Sequence, residues 1–188
     1  PLNETWDYEG RRQNDELLRA LYLQTKAADP TRPCIDTSGN YHVITDIFDI
    51  HDYIQDPSEF AGIYQLPTAE EMMQVYARKH PNAVKHQGPY TSGQPVFVSE
   101  YGGIKWDVNS NLSNAWGYGD APKTEEEFRS RYKGLTDLLL DNPYLMGFCY
   151  TQLYDVEQEQ NGVYYYDRTP KFDTERIRAI FGRNPGDK

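Results

Sequence analysis

Val96-Phe97-Val98-Ser99-Glu100-Tyr101-Gly102-Gly103 is the stretch on which the reading of this chain turns. Between Pro95 and Glu100 stand four residues, three of them β-branched or aromatic. That pattern predicts a strand covered on both faces. A glutamate at the exit of a buried strand is costly to place unless it has partners or a task. The Gly-Gly that follows predicts a sharp turn. One other segment answers this carboxylate, Asn3-Glu4 near the start of the chain.

Working outward, the pattern alternates strands and helices. Pro1 to Trp6 reads as the end of a strand, and 13–28 as a helix with Asn14 as cap and Leu17, Leu18, Leu21 and Tyr22 on one face. Residues 33–39 read as a short strand and turn, 46–53 as a short strand, and 54–66 as a loop. Thr68 with Glu71, and Thr124 with Glu127, form capping boxes that open helices to about 79 and 140. Residues 145–152 read as another buried strand, and a last short helix begins at Asp173. Such alternation predicts an α/β fold with parallel strands and right-handed crossovers. Glu4, Asp36, His51, Tyr53, Glu100 and Gln152 then fall at strand ends, on the face where parallel α/β folds build their sites. A doubly wound sheet fits the alternation too, but its glycine-rich phosphate turn is missing.

Composition narrows the function classes. Over 188 residues, 38% are hydrophobic and 26% charged, the balance of a chain that folds. A formal net charge of -10 argues against nucleic acid or an anionic membrane as partner. No apolar run is long enough to span a bilayer. The 16 tyrosines suit either sugar binding or ordinary core and rim packing. Cys34 and Cys149 make neither a metal spacing nor a disulfide framework, and both are expected to be buried. The histidines, at 42, 51, 80 and 86, lack zinc spacing, and no Gly-x-Ser-x-Gly elbow occurs. Asp107-x-Asn109-x-Asn111 starts like a calcium loop, but Leu112 and Tyr118 stand where glycine and glutamate belong. No metal or other cofactor is expected. The chain opens Pro1-Leu2-Asn3-Glu4 without methionine, so we expect a piece of a longer protein, and its compartment is not legible.

A pair of carboxylates can cleave a glycosidic bond, one as acid and the other as nucleophile or base. Several segments together carry a family resemblance. Pro1-Leu2-Asn3-Glu4-Thr5-Trp6 resembles the segment after the fourth barrel strand of glycoside hydrolase family 2. Phe97-Val98-Ser99-Glu100-Tyr101-Gly102 resembles the nucleophile segment after the seventh strand. Ile35-Asp36-Thr37-Ser38-Gly39, His51-Asp52-Tyr53, Gly147 to Gln152, and Asp155 to Glu159 followed by Asn161-Gly162 continue the likeness in order along nearly the whole chain.

The resemblance implies that residues 1–188 are the C-terminal portion of a (β/α)8 TIM barrel, from the end of strand four through strand eight and the last helix. It implies a retaining enzyme of β-galactosidase type, acting on carbohydrate. Glu4 would be the acid/base and Glu100 the nucleophile. Asn3 would bind the sugar 2-hydroxyl, and Tyr53 would hold the nucleophile ionised and oriented. His51 would line the pocket or serve structure. Trp106 would stack on a sugar ring or anchor its loop; for Trp116 the anchoring role is expected, and Trp6 stands open between the two. Gln152 is a further sugar contact. A whole barrel needs about 250 residues, so the piece alone is expected to turn over little and to associate with itself or with the missing N-terminal strands. The rival readings are a non-enzymatic carbohydrate-binding module and a retaining glycosidase of another family in the same clan.

Overall fold

A computed structural model describes residues 1–5, 12–39, 41–80, 90–106, 108, 110 and 112–187. Trp6 and the calcium-like residues Asp107, Asn109 and Asn111 lie outside the described residues. The elements run in the order β1 (Leu2–Asn3), α1 (Asp15–Ala28), β2 (Thr37–Ser38), β3 (Phe48–Asp52), α2 (Pro57–Tyr64), α3 (Ala69–Lys79), β4 (Val96–Gly102), α4 (Glu125–Leu140), β5 (Leu145–Thr151) and α5 (Thr174–Phe181). The fold is mixed α/β with parallel sheets. β1 pairs with β2 in parallel, Leu2 opposite Thr37 and Asn3 opposite Ser38. The other sheet has the order β3-β4-β5, so the strand that carries Glu100 is central.

The chain divides into two compact units. The first holds residues 1–51, 66–99 and 144–147; the second holds 52–65, 100–143 and 148–188. The boundary falls within β3, β4 and β5. In the first unit, α1 buries Leu18 and Tyr22, and α3 buries Met72, Met73 and Tyr76. Ile50, Val96 and Val98 are fully buried. Asp46 fastens α1, accepting the Tyr22 hydroxyl at 2.7 Å and Lys26 Nζ at 2.9 Å. The Tyr76 hydroxyl reaches the His51 carbonyl at 2.7 Å, which fixes the end of β3.

In the second unit, α2 packs on α4. Gly134 makes room for that crossing, because a Cβ there would stand 2.9 Å from Pro57 Cγ. Phe60, Ile63, Tyr101, Ile104, Phe128 and Leu135 form a fully buried core. The buried Lys171 ammonium meets Asp155 at 2.6 Å, and Asp155 also takes the Gly162 N–H at 2.9 Å. This ion pair ties the loop after β5 to the chain leading into α5.

Four expectations need correction. Residues 54–66 are not all loop. Asp56 caps α2 by accepting from the N–H groups of Ser58 and Glu59, and Pro57 begins the helix. Proline is tolerated in a first turn, where its missing N–H costs nothing. The strand in the strand and turn expected over 33–39 is only Thr37–Ser38, and the Cys34 N–H goes to the Asp46 carboxylate instead of a ladder. β5 is only partly covered, with Met146 at 56% exposure, whereas β3, the other outer strand of the sheet, is buried along its length. Cys149, on β5, is exposed against expectation, while Cys34 is buried as expected. Among the described residues no helix is long and apolar enough to cross a membrane.

Candidate active site

In the first unit the site is built on the end of β1. The Glu4 N–H donates to the Ser38 carbonyl at 2.8 Å, and Glu4 itself adopts φ 49°. This left-handed turn is uncommon for a residue with a side chain. Glu4 Oε1 lies 3.1 Å from His51 Nδ1. The His51 ring is buried, and its other nitrogen lies 3.0 Å from Ser38 Oγ. Gly39, at φ 91°, allows this placement, because a Cβ there would come within 2.7 Å of the ring.

Beneath His51 lies a buried charged cluster. Asp49 Oδ2 accepts from Ser38 Oγ at 2.9 Å, from the Gly39 N–H at 3.1 Å, and from the Ser99 hydroxyl. His42 sits between two buried aspartates, Nδ1 at 2.7 Å from Asp36 and Nε2 at 2.9 Å from Asp49. Burial by itself would lower the His42 pKa. The hydrogen bonds to Asp36 and Asp49 outweigh it and raise it to about 9. Asp36 is likewise opposed by burial. Its bonds from His42 and from the backbone N–H groups of Val43 and Ile44, at 2.7 and 3.0 Å, hold it below the usual carboxylate range.

The second unit holds Glu100. The Tyr53 hydroxyl donates to Glu100 Oε2. Burial first, and the Glu100 carboxylate second, push the Tyr53 phenol far above its ordinary range, so it stays a donor. Tyr53 in turn lies flat against Tyr118, ring centroids 3.5 Å apart and planes 3° from parallel. Gln55 reaches from its amide to the Tyr53 carbonyl at 3.0 Å and to the Gly102 carbonyl. The two glycines after Tyr101 each admit a ring. A Cβ on Gly102 would collide with Tyr150, and one on Gly103 with Tyr118, as well as standing 3.0 Å from Tyr53 Cε1.

The remaining sequence candidates divide. Gln152 follows β5, and its amide donates to Asn161 Oδ1 at 2.9 Å. Asn161 is fully buried and donates to Glu159 at 3.0 Å. Asn3 is exposed on β1. Trp106 is 6% exposed and packs against Phe128 and Phe172, ring centroids 5.9 and 5.2 Å away. It anchors the core, so stacking on a sugar is not carried forward for it. Trp116, expected to anchor its loop, pairs through its backbone with residues 158 and 160, while its side chain is 44% exposed.

Sequence reasoning passed over Ser38, His42, Asp49, Ser99 and Tyr118. Ser38 and Ser99 stand inside the segments that carry the resemblance, so their position was a signal. Tyr118 lies in a loop whose local pattern says nothing about its partner.

No family model matches the sequence, and no curated protein matches it. Solved structures share its fold. They include Bacteroides uniformis β-glucuronidase (TM-score 0.51, 20% identity, over 83% of this chain and 18% of that one). A β-glucuronidase of Dictyoglomus thermophilum gives a TM-score of 0.55 at 16% identity, over 96% of this chain and 30% of that one. A GH2 β-galacturonidase of Eisenbergiella tayi gives 0.56 at 14%, over 93% and 31%. The chain therefore spans less than a third of the length of each of these three proteins, and at these identities the likeness is one of fold.

Proposed function

We propose that this chain is the C-terminal part of the catalytic (β/α)8 barrel of a retaining β-glycosidase of family 2. The observation that carries the reading is the Tyr53 hydroxyl donated to Glu100 at the exit of the central strand. That bond orients a carboxylate and favours its ionised form, as a nucleophile needs. The contact between Glu4 and the buried His51 supports a second, separately held carboxyl. The glycosidase names carried by the solved structures of like fold favour the same class.

In the reaction proposed, a Glu100 oxygen attacks the anomeric carbon as the bond to the leaving oxygen breaks. Glu4 gives its proton to that oxygen. Glu4, now ionised, takes a proton from water, and the water oxygen displaces Glu100 with the configuration retained. The two carboxyls must then stand about 5–5.5 Å apart. Asn3 and Gln152 are the proposed sugar contacts. The substrate is a terminal β-glycoside, of galactoside type by the motif resemblance.

The test uses the intact protein that carries this chain. A 2,4-dinitrophenyl 2-deoxy-2-fluoro-β-glycoside, tried in galacto, gluco, manno and glucurono forms, is expected to leave its sugar on Glu100, found by peptide mass spectrometry. A label on another carboxylate, or turnover that survives Glu100→Gln, overturns the assignment. Sugar binding unchanged in both Glu4→Gln and Glu100→Gln, with no labelling, points instead to a binding module. The 188-residue chain alone is expected to show little turnover. Robust turnover by it, abolished by Glu100→Ala, would refute that expectation.

A further inference from the structure

We propose that Tyr118 is a positioning residue that holds Tyr53 in place to serve Glu100. The inference rests on Glu100 being the nucleophile, and it concerns a residue that acts through Tyr53.

Three observations converge on it. Tyr118 and Tyr53 are stacked at 3.5 Å with planes 3° apart, a far closer match than the other aromatic contacts of this loop. Trp116, by comparison, meets Tyr118 edge-on at 5.9 Å and 76°. Next, Tyr118 is itself fixed by backbone: its N–H donates to the Gly103 carbonyl at 2.9 Å, and it bridges with Ile104. The ring is thus fastened to the end of the strand that carries Glu100. Finally, the chain is shaped to admit it. Gly103 has φ 57°, and any Cβ there would enter the Tyr118 ring. Gly119, at φ 65°, leaves room for Gln55, whose Cγ would lie 2.6 Å from a Cβ. Gln55 in turn holds the Tyr53 carbonyl and the Gly102 carbonyl.

A phenol bonded to a carboxylate at one end can still swing about its ring axis and its Cα–Cβ bond. The first leaves the oxygen in place but turns its O–H, which lies in the ring plane, away from the carboxylate; the second moves the oxygen itself. A ring pressed flat against it removes that freedom. Tyr118 contributes its face to this contact, so a phenylalanine serves as well, whereas an aliphatic side chain of small volume leaves Tyr53 free.

Two readouts test this. The Tyr53 hydroxyl proton, donated to a carboxylate, is expected as a low-field proton resonance of the 188-residue chain, assigned by its loss in Tyr53→Phe. It is expected to persist in Tyr118→Phe and to vanish into exchange in Tyr118→Ala. In the intact protein, labelling of Glu100 by the fluoroglycoside needs no proton. The carboxylate oxygen bonds to the anomeric carbon, and dinitrophenolate leaves with the electron pair. Its rate constant at saturation is expected to fall roughly 10- to 100-fold in Tyr118→Ala, with Tyr118→Phe restoring it and the concentration for half-saturation little changed. A resonance that persists in Tyr118→Ala, or one absent from the wild-type chain, overturns the proposal. So does equal loss in Tyr118→Phe and Tyr118→Ala. If the resonance depends on Tyr118 as described but Glu100 is never labelled, the positioning contact stands and the nucleophile assignment falls.

Discussion

At the scale of single residues, Tyr53 and His42 carry distinct predictions. Tyr53→Phe keeps the ring stack and removes the hydroxyl, with its bonds to Glu100 and Thr151. A hydrogen bond to a charged group is worth about 1.5–3 kcal/mol, so kcat of the intact protein is expected to fall roughly 10- to 100-fold. His42 acts on stability. Its pKa is about 9 in the fold against 6.5 for the free side chain. Folding therefore favours the charged form. The stabilisation is complete below about 6.5 and is lost as pH rises through about 9. Urea midpoints are expected to drop across that window by the equivalent of about 3 kcal/mol. His42→Gln is expected to be less stable throughout, with that part of the pH dependence abolished. That Glu100 needs a partner such as Tyr53 was legible in the sequence, because a charge at the exit of an apolar strand has few harmless explanations. His42 was not, since it lies outside any helix or strand and no period marks which side chains it meets.

At the scale of elements, the helices announce themselves by their caps. The Thr68 and Thr124 side chains accept from the N–H groups of Glu71 and Glu127, each at 3.1 Å, as the capping boxes predict. Thr124→Ala is expected to cost about 1 kcal/mol, read from thermal or urea unfolding. α2 carried the same kind of signal in Asp56-Pro57-Ser58-Glu59, yet it escaped notice. Eight residues give a short apolar stripe of Phe60, Ile63 and Tyr64, too brief to show a period by itself. Its stability comes from α4, through a contact that Gly134 permits. Gly134→Val is therefore expected to destabilise the second unit more than a cap deletion does, although α4 gains intrinsic helix propensity over glycine. β2 shrank for an opposite reason: Asp46 competes for the backbone that a strand would have used.

For the whole molecule, order along the chain was legible and burial was less so. Alternation of periods gives an α/β succession, but it does not say which strand lies outermost. β5 reads as apolar as β4, yet its side chains are only partly covered. Beside its second half runs a groove of about 570 Å³ lined by Cys149, Leu153, Tyr164, Ile177 and Phe181, among others. Outer strands and apolar grooves of this kind favour association. The isolated chain is expected to sediment with a mass that rises with concentration. A clean monomer at high concentration would contradict this.

The glycine pair closing β4 has a consequence for sequence change. Positions 102 and 103 are each hemmed in by tyrosine rings and set at positive φ, 81° and 57°. Steric room and backbone angle both exclude other residues there. A saturation library screened for folding alone should already be empty at both codons, before any sugar is offered. Exposed Trp116, one ring beyond the stack of Tyr53 and Tyr118, should by contrast tolerate change, because its backbone pairing survives any side chain but proline.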